Sequence, residues 1–148
     1  MILFKFRKAT KKDIKKIALL MQKEFNKPPF NEKASIKAVM KSLNFFLKTG
    51  QIFTAVKQKQ IIGVVVFKIE QWWQGQVIII EDLAVKQELQ KQKVGKMLLN
   101  KVEEFAGTNK IKLICFKTNK KSNSIKFYKK EGYKIRQNII EMEKKIKI

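Results

Sequence analysis

The stretch VIIIEDLAVKQELQKQKVGKMLL, residues Val77 to Leu99, decides the fold. It opens with the apolar β-branched run Val77–Ile80, which is typical of a strand buried on both faces. Two acids follow, and Leu83–Val85 complete the strand. A polar, lysine-rich loop then leads to Val94, after which apolar residues recur at helical spacing. The stretch therefore predicts a strand, a loop and the start of a helix.

The junction of loop and helix has the local chemistry of a phosphate site. The N–H groups of a first helical turn have no partner within the helix, and the helix dipole adds partial positive charge there. Lys91, Lys93 and Lys96 add full positive charges. These groups together favour a bound phosphate. The alternative is a solvated helix start that holds no ligand.

Composition limits the class of protein. A chain of 148 residues with 45% hydrophobic residues is long enough to bury a core, and we expect a single domain over residues 1–148. The 34 basic and 12 acidic residues give a net charge of +22. One interpretation of this charge is that the protein has a nucleic-acid partner. However, the lysines are spread through every segment, which favours a generally lysine-rich surface instead.

Histidine is absent from the sequence, which excludes Ser-His-Asp and Cys-His catalysis and any zinc site built on imidazole. We expect no metal site. Cys115 is the single cysteine, so no internal disulfide can form, as suits a reducing compartment. No apolar stretch reaches membrane-spanning length, and no signal peptide is recognisable. We therefore expect a cytoplasmic protein with no membrane partner.

The remaining elements flank the central stretch on both sides. Thr10 and Asp13 form a capping-box-like start for a first helix, and Asn31 is the expected cap of a second. The β-rich runs after it predict an antiparallel meander that ends in the central strand. The predicted order begins with a strand over 2–7, the two helices, strands over 52–56 and 61–69, and the central strand and helix. A strand over 111–116, a helix over 122–130, and short strands over 133–136 and 139–142, or one bent strand there, complete it.

Two motifs in this order resemble those of the GNAT superfamily of acyl-CoA-dependent N-acetyltransferases. The segment Gln90–Gly95 is similar to the family's phosphate loop Q/R-x-x-G-x-G/A, with Lys93 where the first loop glycine is usual. The segment Phe127–Tyr133 is similar to the family's FY-x-x-x-G-F/Y. The resemblance covers nearly the whole chain. It implies an α/β fold with a mixed, mostly antiparallel sheet of six to seven strands, flanked by about four helices in the order β-α-α-β-β-β-α-β-α-β(-β).

The resemblance also implies acetyl-CoA as co-substrate, with its pyrophosphate against the loop amides. Glycine permits close backbone approach and an unusual φ, whereas Lys93 retains its N–H and adds a cation. The residues that the resemblance places against the cofactor are Leu83, Ala84, Val85, Gln90, Lys91, Gln92, Lys93, Val94, Gly95, Lys96, Asn123 and Tyr128.

The two acids of the central strand are the candidate general bases. Without histidine, an amine must be deprotonated by a carboxylate or a water chain. A carboxylate in an apolar strand is costly unless it is paired or used. Successive strand residues face opposite sides, so we expect one acid to face the cleft, and we favour Glu81 as the base. The alternative is that Glu81 pairs with a lysine of a neighbouring strand.

Further roles follow from the resemblance. Tyr128 matches the general acid that donates to the CoA sulfur, and its alternative role is that of a core aromatic. The implied oxyanion donor is a backbone amide near Leu83 or Val85. Candidates for the acceptor pocket are Phe30, Trp72, Trp73 and Asp82; alternatively, one tryptophan belongs to the core and the other to the surface.

The expected function is N-acetyl transfer from acetyl-CoA to a primary amine, on a small molecule or a protein, by direct attack. The alternative is a non-catalytic CoA-binding or nucleic-acid-associated module on the same fold, which Lys93 and the net charge favour. Formation of a homodimer is left open.

Overall fold

Five strands form one sheet in chain order in the computed structural model, which describes residues 3–148. Each neighbouring pair is antiparallel except β4 and β5, which are parallel. The predicted meander is therefore confirmed, while Ile2 of the predicted first strand lies outside the described residues. The strands are β1 (Lys5–Lys8), β2 (Gln51–Lys57), β3 (Gln60–Trp72), β4 (Gly75–Val85) and β5 (Ile114–Phe116).

Helices cover both faces of the sheet. On one face, Ile17 and Leu43 belong to the same buried cluster as Val64 and Val66 of β3. On the other, Leu98 packs with the opposite side of β3. The α-helices are α1 (Ile14–Phe25), α2 (Ile36–Thr49), α3 (Val94–Thr108) and α4 (Ser124–Lys130), and short 3-10 turns occupy Lys11–Asp13 and Gln87–Gln92.

The first predicted helix start is confirmed, and the second is wrong. The Thr10 N–H donates to the Asp13 carboxylate at 2.8 Å. Arg7 donates to both oxygens of the same carboxylate, which holds the pKa of Asp13 down at about 2. Helix α2 is capped by Ser35, whose Oγ accepts from the Ala38 N–H at 3.1 Å. Asn31 has a left-handed backbone with φ 49°, whereas an N-cap needs an extended one.

A β-bulge interrupts β4 at Glu81. Val66 of β3 lies opposite Asp82, while the next residue, Phe67, lies opposite Ile80, so Glu81 is an extra residue. An extra residue reverses which face the following side chains take. Ile80, before the bulge, packs on the α3 side, and Ala84, after it, packs on the α1–α2 side.

The sheet has five strands instead of the six to seven that were predicted. The described residues after α4 form no strand, so the strands predicted over 133–136 and 139–142 are wrong. The strand predicted over 111–116 is also shorter, at Ile114–Phe116. A strand pattern needs a partner edge of matching length, and the three residues of β5 offer little backbone for pairing. Ile139 and Ile140 consequently stay exposed.

Candidate functional site

Strands β4 and β5 separate halfway along β4. Their pairing covers Ile78 to Ile80 opposite Ile114 to Phe116, and β4 then continues alone to Val85. The edge of β4 that faces away from β3 therefore pairs with no strand of residues 3–148 over residues 81–85. Ala84 and Val85 have buried side chains and Leu83 is half-buried, so this segment offers mainly its backbone to a ligand.

The loop after β4 is held in place by Gln90. Its side-chain amide donates to the Val85 carbonyl at 3.1 Å, which fixes the loop against the end of the strand. The Met97 N–H donates to the Lys93 carbonyl at 3.0 Å and starts the helical ladder of α3. The N–H groups of Val94, Gly95 and Lys96 precede this bond, and none of them donates a hydrogen bond to an acceptor within residues 3–148.

Lys93 adopts a left-handed backbone, with φ 63° and ψ 19°. Glycine takes this conformation without steric cost, whereas a residue with a Cβ is destabilised in it. Lys93 therefore adopts this conformation at an energetic cost. Lys91, Gln92 and Lys93 are all exposed, so the loop presents two lysine ammonium groups to solvent. The Lys96 ammonium, in the first turn of α3, lies 3.8 Å from the Glu131 carboxylate.

Helix α4 brings the second sequence motif against the loop. A Cβ added to Gly95 would lie 3.5 Å from the Phe127 ring, an ordinary contact distance, and 3.9 Å from Val85. The two motifs are therefore adjacent in space. Asn123 lies exposed just before α4, but its side chain does not cap the helix, and Ser122 instead bonds Ser124 at 2.6 Å.

The ring of Tyr128 is packed against other aromatic rings, while its hydroxyl makes no hydrogen bond within the described residues. Its ring centroid lies 4.5 Å from that of Phe116 and 5.2 Å from that of Phe127. Burial raises the pKa of Tyr128 to about 12, so the phenol keeps its proton at neutral pH. No hydrogen bond within residues 3–148 involves this hydroxyl, whereas the Tyr133 hydroxyl donates to Glu103 at 3.4 Å.

Glu81 is paired, as the alternative interpretation predicted. Its carboxylate lies 3.0 Å from the Lys68 ammonium, which also lies 3.3 Å from Glu70. Lys68 lies two residues after Val66 on β3, so its side chain faces the same side of the sheet, the α1–α2 side. Because the Glu81 carboxylate contacts Lys68, Glu81 reaches this side as well. The expectation that only one of the two acids faces this side is therefore wrong, because the bulge interrupts the alternation of side chains.

Asp82 lies in a cavity of about 210 Å³ between β4 and the first two helices. Burial, followed by the charges of Glu81 and Glu32, raises the pKa of Asp82 from 3.8 to about 6. No ion pair or hydrogen bond from residues 3–148 reaches this carboxylate. The other residues that line the cavity are Met21, Gln22, Phe25, Glu32, Ala34, Ala38, Val39 and Ser42.

Of the three aromatic candidates for the acceptor pocket, Phe30 contacts a residue that lines the cavity, whereas neither tryptophan belongs to the lining. Phe30 packs edge-on against Phe25, with ring centroids 5.4 Å apart, and Phe25 lines the cavity. Trp72 donates its indole N–H to Glu70 at 2.9 Å. Trp73 is fully exposed at the β3–β4 turn. Sequence reasoning did not consider Glu32, although an acid in the short connection between two lysine-rich helices is a signal it could have used.

The fold and its strand–loop–helix junction define the class of acetyltransferases. The sequence matches the acetyltransferase (GNAT) family over residues 15–133, and the chain belongs to that family. No curated protein sequence matches it. Within residues 3–148, no helix is long and apolar enough to cross a bilayer. The same residues contain no group of three or more His, Cys, Asp or Glu side chains placed to hold a metal ion.

Solved structures with the same fold, at low sequence identity, include acetyltransferases. A possible acetyltransferase from Clostridium difficile 630 is 16% identical with a TM-score of 0.83, and the match covers 97% of this chain and 99% of that one. The aminoglycoside N-acetyltransferase AAC(6')-Iy, solved with CoA, is 16% identical with a TM-score of 0.82 (99% and 97% covered). The aminoglycoside acetyltransferase meta-AAC0020, from an uncultured soil metagenomic sample, is 18% identical with a TM-score of 0.77 (97% of each chain).

Proposed function

We propose that the protein transfers an acetyl group from acetyl-CoA to a primary amine. The observation that carries the proposal is Asp82, a half-buried carboxylate without a partner in the described chain, facing a cavity. It lies on the strand whose opposite edge separates from β5. An acceptor in the cavity and a thioester along the separated edge then reach the same short segment of β4.

The N–H groups of residues 94–96 are the proposed ligands of the CoA pyrophosphate. They precede the first helical bond, lie at the positive end of α3 and sit beside exposed lysines. Gln90 stabilises the loop through the Val85 carbonyl, and Gly95 leaves room between the loop and Phe127. Two solved structures of the fold support CoA as the ligand, since AAC(6')-Iy was solved with CoA and with a CoA-containing bisubstrate analogue.

Direct attack requires three contributions from the chain. A carboxylate accepts the proton of the acceptor ammonium, and the free amine then attacks the thioester carbonyl. A backbone amide near Leu83 or Val85 stabilises the oxyanion. As the C–N bond forms and the C–S bond breaks, the Tyr128 hydroxyl donates its proton to the departing thiolate. The nitrogen of the new amide releases its second proton, which returns the tyrosinate to the neutral phenol through solvent. The unengaged hydroxyl and the raised pKa of Tyr128 both suit this donor role.

We assign the general base to Asp82 in preference to Glu81. Glu81 is held by the Lys68 ammonium at 3.0 Å, and this contact competes with an acceptor amine. Asp82 has no such cation, and its pKa of about 6 lies near the operating pH of a general base. Glu81 remains the second candidate, because both acids reach the same side of the sheet.

The charges around the cavity favour a cationic acceptor. Asp82 and Glu32 line it, and Glu81 adds a third carboxylate close enough to raise the pKa of Asp82. A negative recess in a protein of net charge +22 selects for amines locally although the whole surface repels them. We favour a small-molecule amine over a protein amine. The aminoglycoside acetyltransferases among the structural neighbours act on acceptors of that chemical class.

Thiol release from acetyl-CoA over a panel of amines tests the proposal. We expect turnover with at least one multiply charged amine, a large loss in Asp82→Asn and a smaller loss in Glu81→Gln. Full activity in Asp82→Asn with loss in Glu81→Gln would move the base to Glu81. CoA binding without turnover of any amine would favour the non-catalytic CoA-binding module.

A further inference from the structure

The solvent side of helices α1 and α2 carries lysines and almost no acid. Among residues 10–50, all of them described, Glu32 is the single exposed acid. Asp13 is buried against Arg7, and Glu24 is bound by the Lys27 ammonium at 3.1 Å. The exposed lysines in and beside the two helices are Lys11, Lys12, Lys15, Lys16, Lys23, Lys33, Lys37, Lys41 and Lys48.

The two helices repeat one pattern on their outer sides. In α2, the exposed residues Lys37, Lys41, Phe45 and Lys48 follow each other at steps of three or four residues, so they form one line along the helix. The corresponding line of α1 begins in the preceding 3-10 turn and consists of Lys12, Lys16, Leu19 and Lys23. We call the residues of these two lines the α1–α2 surface.

The α1–α2 surface is electrostatic in character. The apolar sides of both helices are already buried against the sheet, through Ile17, Leu43 and their neighbours. Among the large apolar side chains of the two helices, only Leu19, at 48% exposure, and Phe45, at 60%, remain exposed. A helix that binds by insertion into a lipid surface needs a free apolar face, which neither helix has. Charge is therefore the dominant property of this surface.

We propose that the α1–α2 surface binds the phosphate backbone of nucleic acid without sequence preference. Lysine ammonium groups neutralise phosphates and release condensed counterions, and this supplies most of the free energy of sequence-independent binding. Contacts of this kind position a duplex and do not read its bases. The two lines of cations lie on helices that pack side by side on one sheet face, so they present a continuous surface to a duplex. This activity is separate from the proposed acetyl transfer.

Two variants with equal net charge test the proposal. In the surface variant, Lys12, Lys16, Lys37 and Lys41 are all replaced by Gln. In the control variant, the same replacement is made at exposed lysines outside α1 and α2, namely Lys112, Lys144, Lys145 and Lys147. Binding of labelled 24-base-pair DNA and RNA duplexes of mixed sequence is measured from 50 to 300 mM salt. Thermal melting checks that both variants are folded.

The slope of log affinity against log salt is negative, and its magnitude falls by about 0.9 for each phosphate contact that is lost. We therefore expect the magnitude of the slope to be smaller by about 3.6 in the surface variant. The control variant should lower this magnitude by less than 1. The proposal would be overturned if the magnitude of the slope fell by less than 2 in the surface variant. It would also be overturned if the control variant changed the slope by at least half as much as the surface variant, because binding would then follow net charge alone. Binding to vesicles of anionic lipid but to neither duplex would overturn it as well, in favour of a membrane surface.

Discussion

Replacing Asp82 by Asn should stabilise the protein while removing the proposed base. The pKa of Asp82 lies at about 6 in the folded chain against an ordinary value of 3.8, because its carboxylate is buried near Glu81 and Glu32. That difference corresponds to about 3 kcal/mol of destabilisation once the carboxylate is ionised. Asparagine keeps the shape of the side chain and removes the charge. In a protein of this size, about 3 kcal/mol raises the melting temperature by roughly 6 to 12 °C.

The pH dependence of this effect fixes its sign. The folded chain binds the Asp82 proton more tightly than the unfolded chain does, so the folded state holds more protons between about pH 4 and pH 6. Stability contributed by this group therefore falls as pH rises through that window. The gain from Asp82→Asn should be absent at pH 3.5, grow through pH 5 and level off above pH 7.

Urea unfolding of the native protein and Asp82→Asn at intervals from pH 3.5 to 8 measures the difference directly. Glu81→Gln is the matched control, because it removes a neighbouring carboxylate that is paired with Lys68 and partly exposed. We expect a change of less than about 1 kcal/mol from it, as for other exposed ion pairs. A gain from Asp82→Asn below 1 kcal/mol at pH 7.5, or an equal gain at pH 3.5, would refute the reasoning.

Four further variants, with two control variants, test the cofactor site and the general acid. Lys93→Gly should raise the melting temperature by up to about 3 °C, because glycine accepts φ 63° without strain. Lys110→Gly, at φ 57° and outside the loop, is the control and should have the same effect. Calorimetry should also show that Lys93→Glu binds CoA more weakly. Gly95→Ala should keep the fold, since the added Cβ meets Phe127 at an ordinary 3.5 Å, yet weaken CoA binding, and unchanged affinity in a titration would place the phosphates elsewhere. Tyr128→Phe should lower turnover on the order of a hundredfold with little change in melting temperature, whereas Tyr133→Phe, the matched control, should leave turnover intact.

The sequence predicted the elements whose signals are local. The run Val77–Ile80, the polar loop and the helix from Val94 were found because each has a composition or a period of its own. The capping of the first helix was also found, since Thr10 and Asp13 are three residues apart and interact directly. The adjacency of the two family motifs in space was not predicted from the sequence; it emerges from the fold, where a Cβ added at Gly95 would lie at contact distance from the Phe127 ring.

Features that depend on distant partners were missed. The bulge at Glu81 arises from the register between β3 and β4, which no pattern within β4 reveals. It decides that both acids of the strand reach the same side, so the preference for Glu81 over Asp82 rested on an alternation that the fold interrupts. The strands expected within 133–142 failed for the same kind of reason, since their pattern was suitable but β5 gave them no adequate edge.

The short outer strands of the sheet also bear on how the protein avoids aggregation. Unpaired strand edges are templates for pairing with another chain, and natural sheets protect them with brevity and with lysine. Strand β1 spans Lys5–Lys8 and has a lysine at each end, while Lys112 and Lys117 flank the three residues of β5. Approach of a second copy to either edge therefore brings like charges together before any ladder can form. The lysine bias thus limits edge-to-edge polymerisation of a sheet that is otherwise rich in β-branched residues.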